Sequence, residues 1–217
     1  MNSPGAPRVV LADDHVMLLE AFRRLLEHQC EIVGCTGDGR ELLEIVEQTR
    51  PDLVVLDISM PGLNGIDAGE QLLQSHPNVR LIYLTVNEDP QLAAEIIRRG
   101  AAGFLLKSSA ATELFDAIKQ AMAGLTYITP LLTKGVPHKV FMRENSRGSG
   151  NHLTSRQREV LQLLAEGLAM KEVADRLDIT PRTVAFHKYT IMDVLGLRTS
   201  ADLVRYAVEN HLVTKKQ

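Results

Sequence analysis

Leu53-Val54-Val55-Leu56-Asp57-Ile58-Ser59-Met60-Pro61-Gly62 runs from four apolar residues into a carboxylate and then into a Pro-Gly turn. An apolar run this short, bounded by turn residues, reads as a strand, and it puts Asp57 at the strand's carboxyl end. Working outward, runs of the same kind recur at Val9–Ala12, Glu31–Thr36, Leu81–Thr85 and Gly103–Lys107. Between them lie helical patterns near residues 15–28, 39–49, 65–75, 90–99 and 111–123, each long enough for about three turns. Alternation of this sort predicts a parallel sheet with crossover helices, an α/β flavodoxin-like (βα)5 unit. In such a sheet the ligand crevice lies beyond the carboxyl ends of the strands, where the strand order reverses, so the residues ending the strands carry the chemistry.

The chain of 217 residues has room for two cores of ordinary domain size. Hydrophobic residues make up 45% and charged residues 24%, which excludes a wholly disordered chain. No apolar run approaches the roughly 18 residues of a membrane span, and Met1–Arg8 has no hydrophobic segment fit for a secretion signal. A cytoplasmic protein without a membrane partner is therefore expected. Cys30 and Cys35 have no Cys or His partner at metal-ligand spacing and are expected as buried thiols. The net charge of −3 is unevenly spread: residues 1–124 carry −8, residues 125–151 carry +3 and residues 152–217 carry +2. An acidic half and a basic remainder are expected to do different jobs, although so small a positive surplus is weak evidence for nucleic acid.

After Gly124 the pattern breaks into a stretch holding Pro130, Gly135, Pro137, Gly148 and Gly150. Residues 125–151 read as a linker between a domain at 1–124 and one at 152–217. Leu125–Leu132 is apolar enough to pack on a domain, leaving residues 133–151 as the mobile part. Helical periodicity then resumes. Thr154 and Gln157 fit a capping box, followed by the apolar stripe Val160, Leu161 and Leu164. A short helix at Lys171–Leu177, three connecting residues, and a helix opened by Pro181 behind Thr180 make a helix-turn-helix. A further helix near Ser200–Asn210 completes an all-α four-helix domain.

Asp13 and Asp14 follow the first strand and Asp57 ends the third, so three carboxylates are expected to converge at the ligand edge. Uncompensated, they would raise one another's pKa values. Hard, all-oxygen ligation favours Mg²⁺ as the compensating ion. Thr85 and Lys107 add a hydroxyl and an ammonium to the same rim. Each residue alone is an ordinary strand-end or capping residue, but the five in strand-end register describe phosphoryl transfer to a carboxylate nucleophile.

With Gly65 added, this set resembles the receiver domain of two-component response regulators over about residues 8–124. The resemblance implies that Asp57 accepts a phosphoryl group from a sensor histidine kinase. It implies that Asp13, Asp14, Asp57 and the backbone carbonyl of Ser59 hold Mg²⁺, and that Lys107 pairs with a phosphate oxygen. Thr85 would bond the phosphate, and Phe104, at the family's aromatic switch position, would rotate inward behind it. Without the family Phe104 reads as a core aromatic. Asn87 occupies a position that tunes phosphate lifetime in the family. His15 beside the acidic pair suits a helix start and is read as non-ligating.

In the helix beginning at Pro181, Val184, His187, Ile191 and Leu195 share a core face at about 100° per residue. The opposite face carries Arg182, Ala185, Phe186 and Tyr189, with Lys188 on a flank. An exposed aromatic pair among basic groups fits major-groove insertion: Phe186 against a thymine methyl, Tyr189 on a base edge or phosphate, Arg182 and Lys188 on phosphates. The competing reading packs Phe186 on the linker or the first domain. The run Leu153–Leu161, with Lys171-Glu172, Thr183-Val184, His187 and Leu195-Gly196, is similar to the LuxR-type DNA-binding domain and, with the receiver, to the NarL/FixJ group. Two departures stand out. Ala169-Met170 replaces the polar cap usual before Lys171, so that helix start either frays or finds another acceptor. Ala185 stands where Lys is common, which points to a weaker, more hydrophobic readout. Together these readings describe a DNA-binding regulator that is not a turnover enzyme, controlled at Asp57 and dimerising on activation over paired half-sites of double-stranded DNA. The alternative is a phosphorylation-independent DNA binder whose receiver is a structural or partner-binding module. A flavodoxin-like enzyme is disfavoured by the absence of a glycine-rich phosphate loop.

Overall fold

The computed structural model describes residues 5–134, 153–210 and 212–213. Its first half alternates β1 (Arg8–Ala12), α1 (Val16–Leu26), β2 (Glu31–Thr36), α2 (Gly39–Thr49), β3 (Leu53–Asp57), α3 (Gly65–Ser75), β4 (Arg80–Thr85), α4 (Pro90–Arg98), β5 (Gly103–Leu106) and α5 (Ala110–Met122). The sheet is parallel throughout, in the order β2-β1-β3-β4-β5-β6, where β6 is Tyr127–Ile128. The strand order reverses between β1 and β3, so the crevice opens where Ala12-Asp13 and Asp57 leave the sheet.

The inner strands β1, β3 and β4, and β5 beside them, alternate their side chains between two buried faces, as a sheet covered on both sides requires. Val10, Ala12, Val54, Leu56, Leu81, Tyr83, Phe104 and Leu106 face the core under α2, α3 and α4. Val9, Leu11, Leu53, Val55, Ile82, Leu84 and Leu105 face the core under α1 and α5. The helices start where local chemistry stops the strands' loops. Asp38 accepts from the amides of Arg40 and Glu41, Asn64 from Asp67, and Asp89 from Gln91 ahead of Pro90. Gly65 is dictated by proximity, since a Cβ there would lie 2.0 Å from the Asp57 carbonyl oxygen. Its amide instead donates to Ile58 O at 2.8 Å, closing the 58–65 loop on itself.

Three expectations need correction. The expected five strands are six. Past the Gly124 turn, at φ +77°, Tyr127–Ile128 forms β6 beside β5, and Pro130–Thr133 forms the short α6. There the amide of Leu106 donates to Thr129 Oγ1 at 3.1 Å, so the apolar start of the expected linker completes the sheet edge. β5 ends at Leu106, one residue before Lys107, whose amide still donates to Thr85 O at 2.7 Å. Cys30 is buried, but Cys35 is exposed. β2 is an edge strand, and an irregularity in its pairing with β1 shifts the register just before Gly34, leaving Cys35 uncovered. Residues 135–151, most of the stretch expected to be mobile, lie outside the described residues.

The second half forms α7 (Ser155–Ala165), α8 (Met170–Leu177), α9 (Pro181–Leu195) and α10 (Ser200–Glu209) around a core that includes Leu153, Val160, Leu161, Val173, Val184, Ile191 and Leu203. The Thr154–Gln157 capping box forms: Gln157 N donates to Thr154 Oγ1 at 3.2 Å and Thr154 N to Gln157 Oε1 at 2.8 Å. At the start of α8 the missing polar cap is replaced by Glu172, whose Oε2 accepts from Ala169 N at 2.6 Å. Among the described residues no helix is long and apolar enough to cross a membrane.

Candidate phosphoacceptor site and DNA-reading helix

Asp13 and Asp57 are almost wholly buried at the switch point. Lys107 reaches between them, its Nζ 2.8 Å from Asp13 Oδ2 and 2.9 Å from Asp57 Oδ2. Burial pushes the Asp57 carboxyl above the usual carboxylate range; Lys107 pulls it back and Asp13 adds to the rise. Burial works to lower the Lys107 ammonium, but Asp57 and Asp13 together raise it. The result is a desolvated carboxylate held by one cation and beside a like charge.

Asp14 is more exposed, at the mouth. Ligand atoms of Asp13, Asp14, His15 and Asp57 all lie within 4.8 Å of one another. His15, read as non-ligating, lies beside the cluster: its Nδ1 is 2.8 Å from Asp14 Oδ1 and 3.0 Å from Asp13 Oδ1. The three carboxylates suffice for a hard divalent cation that keeps several waters, and a nitrogen donor adds little for such an ion. Thr85 is buried at the end of β4, its Oγ1 accepting from Asn87 N at 3.0 Å. Phe104 has no accessible surface. Its ring already lies in the core under α4, so the inward rotation expected of it has no outward starting point in this structure.

On α9, Val184 and Ile191 are buried while Phe186 and Tyr189 remain 67% and 66% exposed. Among the described residues the packing of Phe186 on the first domain, weighed from sequence, is absent, its ring meeting His187 edge-on at 5.8 Å, while packing on the linker falls mostly on residues outside the described ones. Arg182 is exposed beside it, Ala185 is partly exposed, and Thr183 is tied to the Thr180 cap at 2.9 Å between hydroxyls. Lys188 Nζ donates to Ser200 Oγ at 3.0 Å, toward α10.

Sequence reasoning missed the surface that joins the halves. Arg158 binds Asp67 and, at 2.6 Å, Glu70. Arg40 meets Glu159 at 3.1 Å and Arg176 meets Asp38 at 3.1 Å. Gln162 and Glu166 reach the 60–64 loop. The face of α9 that carries Phe186 and Tyr189 is therefore open while α7 is committed to the first domain. In the sequence the α7 residues look like the solvated side of an amphipathic helix; their partners lie about 90 to 120 positions away, and no local signal marks them.

Comparison with known proteins agrees with this architecture. Residues 9–119 match the response regulator receiver domain, and residues 151–207 match the luxR family of bacterial regulatory proteins. The oxygen regulatory protein NreC of Staphylococcus carnosus is 31% identical over 214 residues, 95% of this chain and 99% of that protein. NreC of Staphylococcus aureus is 32% identical over 215 residues, with the same coverage. The RcsB response regulator of Salmonella typhimurium superposes with a TM-score of 0.63 at 25% identity, covering 96% of this chain and 98% of that one. RcsB of Salmonella enterica serovar Typhimurium bound to promoter rprA in the presence of the phosphomimetic BeF3- superposes with a TM-score of 0.57 at 26% identity, covering 95% and 98%. An acidic crevice at the switch point of a parallel sheet, joined to a helix-turn-helix, thus places the chain in the NarL/FixJ group of two-component response regulators, which are DNA-binding transcription regulators rather than turnover enzymes.

Proposed function

We propose that Asp57 accepts a phosphoryl group from a sensor histidine kinase and that its phosphorylation controls sequence-specific DNA binding. The observation that carries this reading is the buried Asp13–Lys107–Asp57 trio at the carboxyl ends of β1, β3 and β5. Mg²⁺ would be held by Asp13, Asp14, Asp57 and the Ser59 carbonyl, and would neutralise charge on the transferring group. Asp57 supplies the attacking oxygen as the bond from phosphorus to the donor nitrogen breaks. Lys107 then holds a phosphoryl oxygen through a charge-assisted bond, and the Thr85 hydroxyl, at the same rim, takes another. Phe104, buried in the core under α4, is assigned with Thr85 to the switch.

DNA contact is assigned to Arg182, Thr183, Ala185, Phe186, Lys188 and Tyr189, with Phe186 and Tyr189 at base edges and Arg182 on phosphate. The promoter-bound RcsB structures support double-stranded DNA as the partner, and dimerisation on activation as the route to paired half-sites. The chain acts in the cytoplasm on this reading, as a receiver domain of residues 1–124, a linker of 125–151 that also supplies the sixth strand, and a DNA-binding domain of 152–217. Treating the protein with acetyl phosphate and Mg²⁺ should attach acid-labile phosphate that Asp57→Asn does not take up; equal labelling of both would refute the assignment. A second reading, DNA binding independent of phosphorylation, is favoured by the exposure of Phe186 and Tyr189 while the halves are docked. Equal affinity for promoter DNA with and without the phosphodonor would select it.

A further inference from the structure

We propose that Gln162, a residue of the DNA-binding half, is a positioning residue of the phosphoacceptor site in the other half. The proposal rests on the phosphoacceptor reading of Asp57. Gln162 has no accessible surface although it sits on the outward side of α7. Its Nε2 donates to Met60 O at 2.9 Å and to Glu166 Oε1 at 2.8 Å. Its Oε1 accepts from Asn64 N at 2.9 Å and Asn64 Nδ2 at 3.0 Å. A primary amide has two N–H donors and room for two acceptor bonds, so this one is saturated.

The residues it grips bracket the turn that follows Asp57. Met60 is next to Ser59, whose carbonyl is assigned to the proposed metal, and Asn64 caps α3 through Asp67 N at 2.9 Å. The ion pairs Arg40–Glu159, Arg158–Asp67 and Arg176–Asp38 end on side chains of the receiver. Gln162 and its neighbour Glu166, which accepts from Gly62 N at 3.2 Å, bind the backbone of the loop itself. They therefore set the peptide planes beside the site, a task that holding two helices together does not perform.

The same grip opposes phosphorylation. A cleft of about 490 Å³ at the mouth is bounded by Asp14, Ser59 and Pro61 on one side and by Glu166, Leu168 and Val208 on the other. A phosphoryl group on Asp57 brings further negative charge toward the Glu166 carboxylate and requires Lys107 to give up its present pairing. Whatever loop shift follows works against Gln162. By linkage, the factor by which phosphorylation loosens the clamp equals the factor by which the clamp disfavours phosphorylation. Gln162 thus keeps the loop in its unphosphorylated shape.

The test uses the full chain with acetyl phosphate, following phosphoryl mass on the protein as a function of Mg²⁺ concentration. Gln162→Met keeps the side-chain length and removes all four bonds. It should lower the half-saturating Mg²⁺ concentration and raise the labelling rate at low Mg²⁺, each about tenfold, while amide exchange over residues 60–65 speeds up. Gln162→Glu, which loses the donor to Met60, is the second variant and should shift the same way; circular dichroism checks the helices of both. Arg176→Ala, which removes the pair to Asp38 and packing beside Gly62 but no hydrogen bond to the loop backbone, should stay within about twofold of the parent chain. An unchanged Mg²⁺ dependence in both Gln162 variants overturns the proposal, as does an equal shift in Arg176→Ala. A parent chain that takes up no phosphate, or an Asp57→Asn chain that takes up as much, overturns the phosphoacceptor reading instead.

Discussion

Arg158→Met should open the molecule. Arg158 is the main charged bridge between the halves, joined through Nε to Asp67 and through Nη2 to Glu70 at 2.6 Å. The Asp67 side chain has no exposure, and burial pushes its carboxyl up while Arg158 and then Asn64 pull it back. Without Arg158 the docked state must keep an ionised, buried carboxylate with only the Asn64 amide, a situation that costs about 3 to 5 kcal/mol. Undocking instead returns water to Asp67 and forfeits the rest of the interface. That remainder is the Gln162 and Glu166 bonds together with Arg40–Glu159, whose carboxylate is mostly buried, and the partly exposed Arg176–Asp38 pair of roughly 0 to 1 kcal/mol. The lower-cost route wins, and a loss of about 3 kcal/mol shifts the ratio of docked to open chains roughly 150-fold. Small-angle X-ray scattering reads this directly as a larger radius of gyration for the variant. Asp67→Asn removes the buried charge as well as the bridge, so it should open the molecule less. Superimposable scattering curves for Arg158→Met and the parent chain would refute the reasoning, because the bridge would then carry no net docking energy.

Asp57, like Asp67, is a buried acid whose pKa burial has raised, so the fold holds its proton more tightly than the unfolded chain does. That contribution is complete below the ordinary carboxylate pKa and is lost as pH rises through the raised one. Without divalent cation, Asp57→Asn should therefore stabilise the protein at neutral pH by on the order of 1 kcal/mol, with the gain shrinking as pH falls in thermal melts. Lys107→Met leaves Asp13 and Asp57 buried side by side without their cation. The variant should melt earlier, by about 3 kcal/mol of lost stability, yet gain more from added Mg²⁺ than the parent does. Phe186→Ala removes an exposed ring, so its melting point should be unchanged while its affinity for a bound promoter falls about tenfold in a titration.

The acidic site was legible because its residues end strands, and strand ends follow from local apolar runs and the turn residues that stop them. β2, β3, α2 and α3 have the limits read from sequence, since capping by Asp38 and Asn64 is a short-range property. Within the C-terminal half, Thr154–Gln157, Thr180–Pro181 and Thr199 act over at most three residues, and the helices they start were equally readable. The alternation of strand residues between two cores likewise follows from a period of two.

What the tertiary structure decided was contact between segments far apart in the chain. Cys35 is exposed because β2 took the edge, and Tyr127–Ile128 became a strand because β5 had a free side. Asp57 joined Asp13 and Asp14 only once the β3 end lay beside the β1 end, whereas His15 reaches that pair from the same turn. Arg158, Glu159 and Gln162 follow the same hydrophilic pattern whether they face water or another domain. A period of 3.6 residues tells which side of a helix avoids its own core. It does not tell what that side meets, because the free energy of docking belongs to pairs such as Gln162 with Met60 and Asn64, which no local window contains.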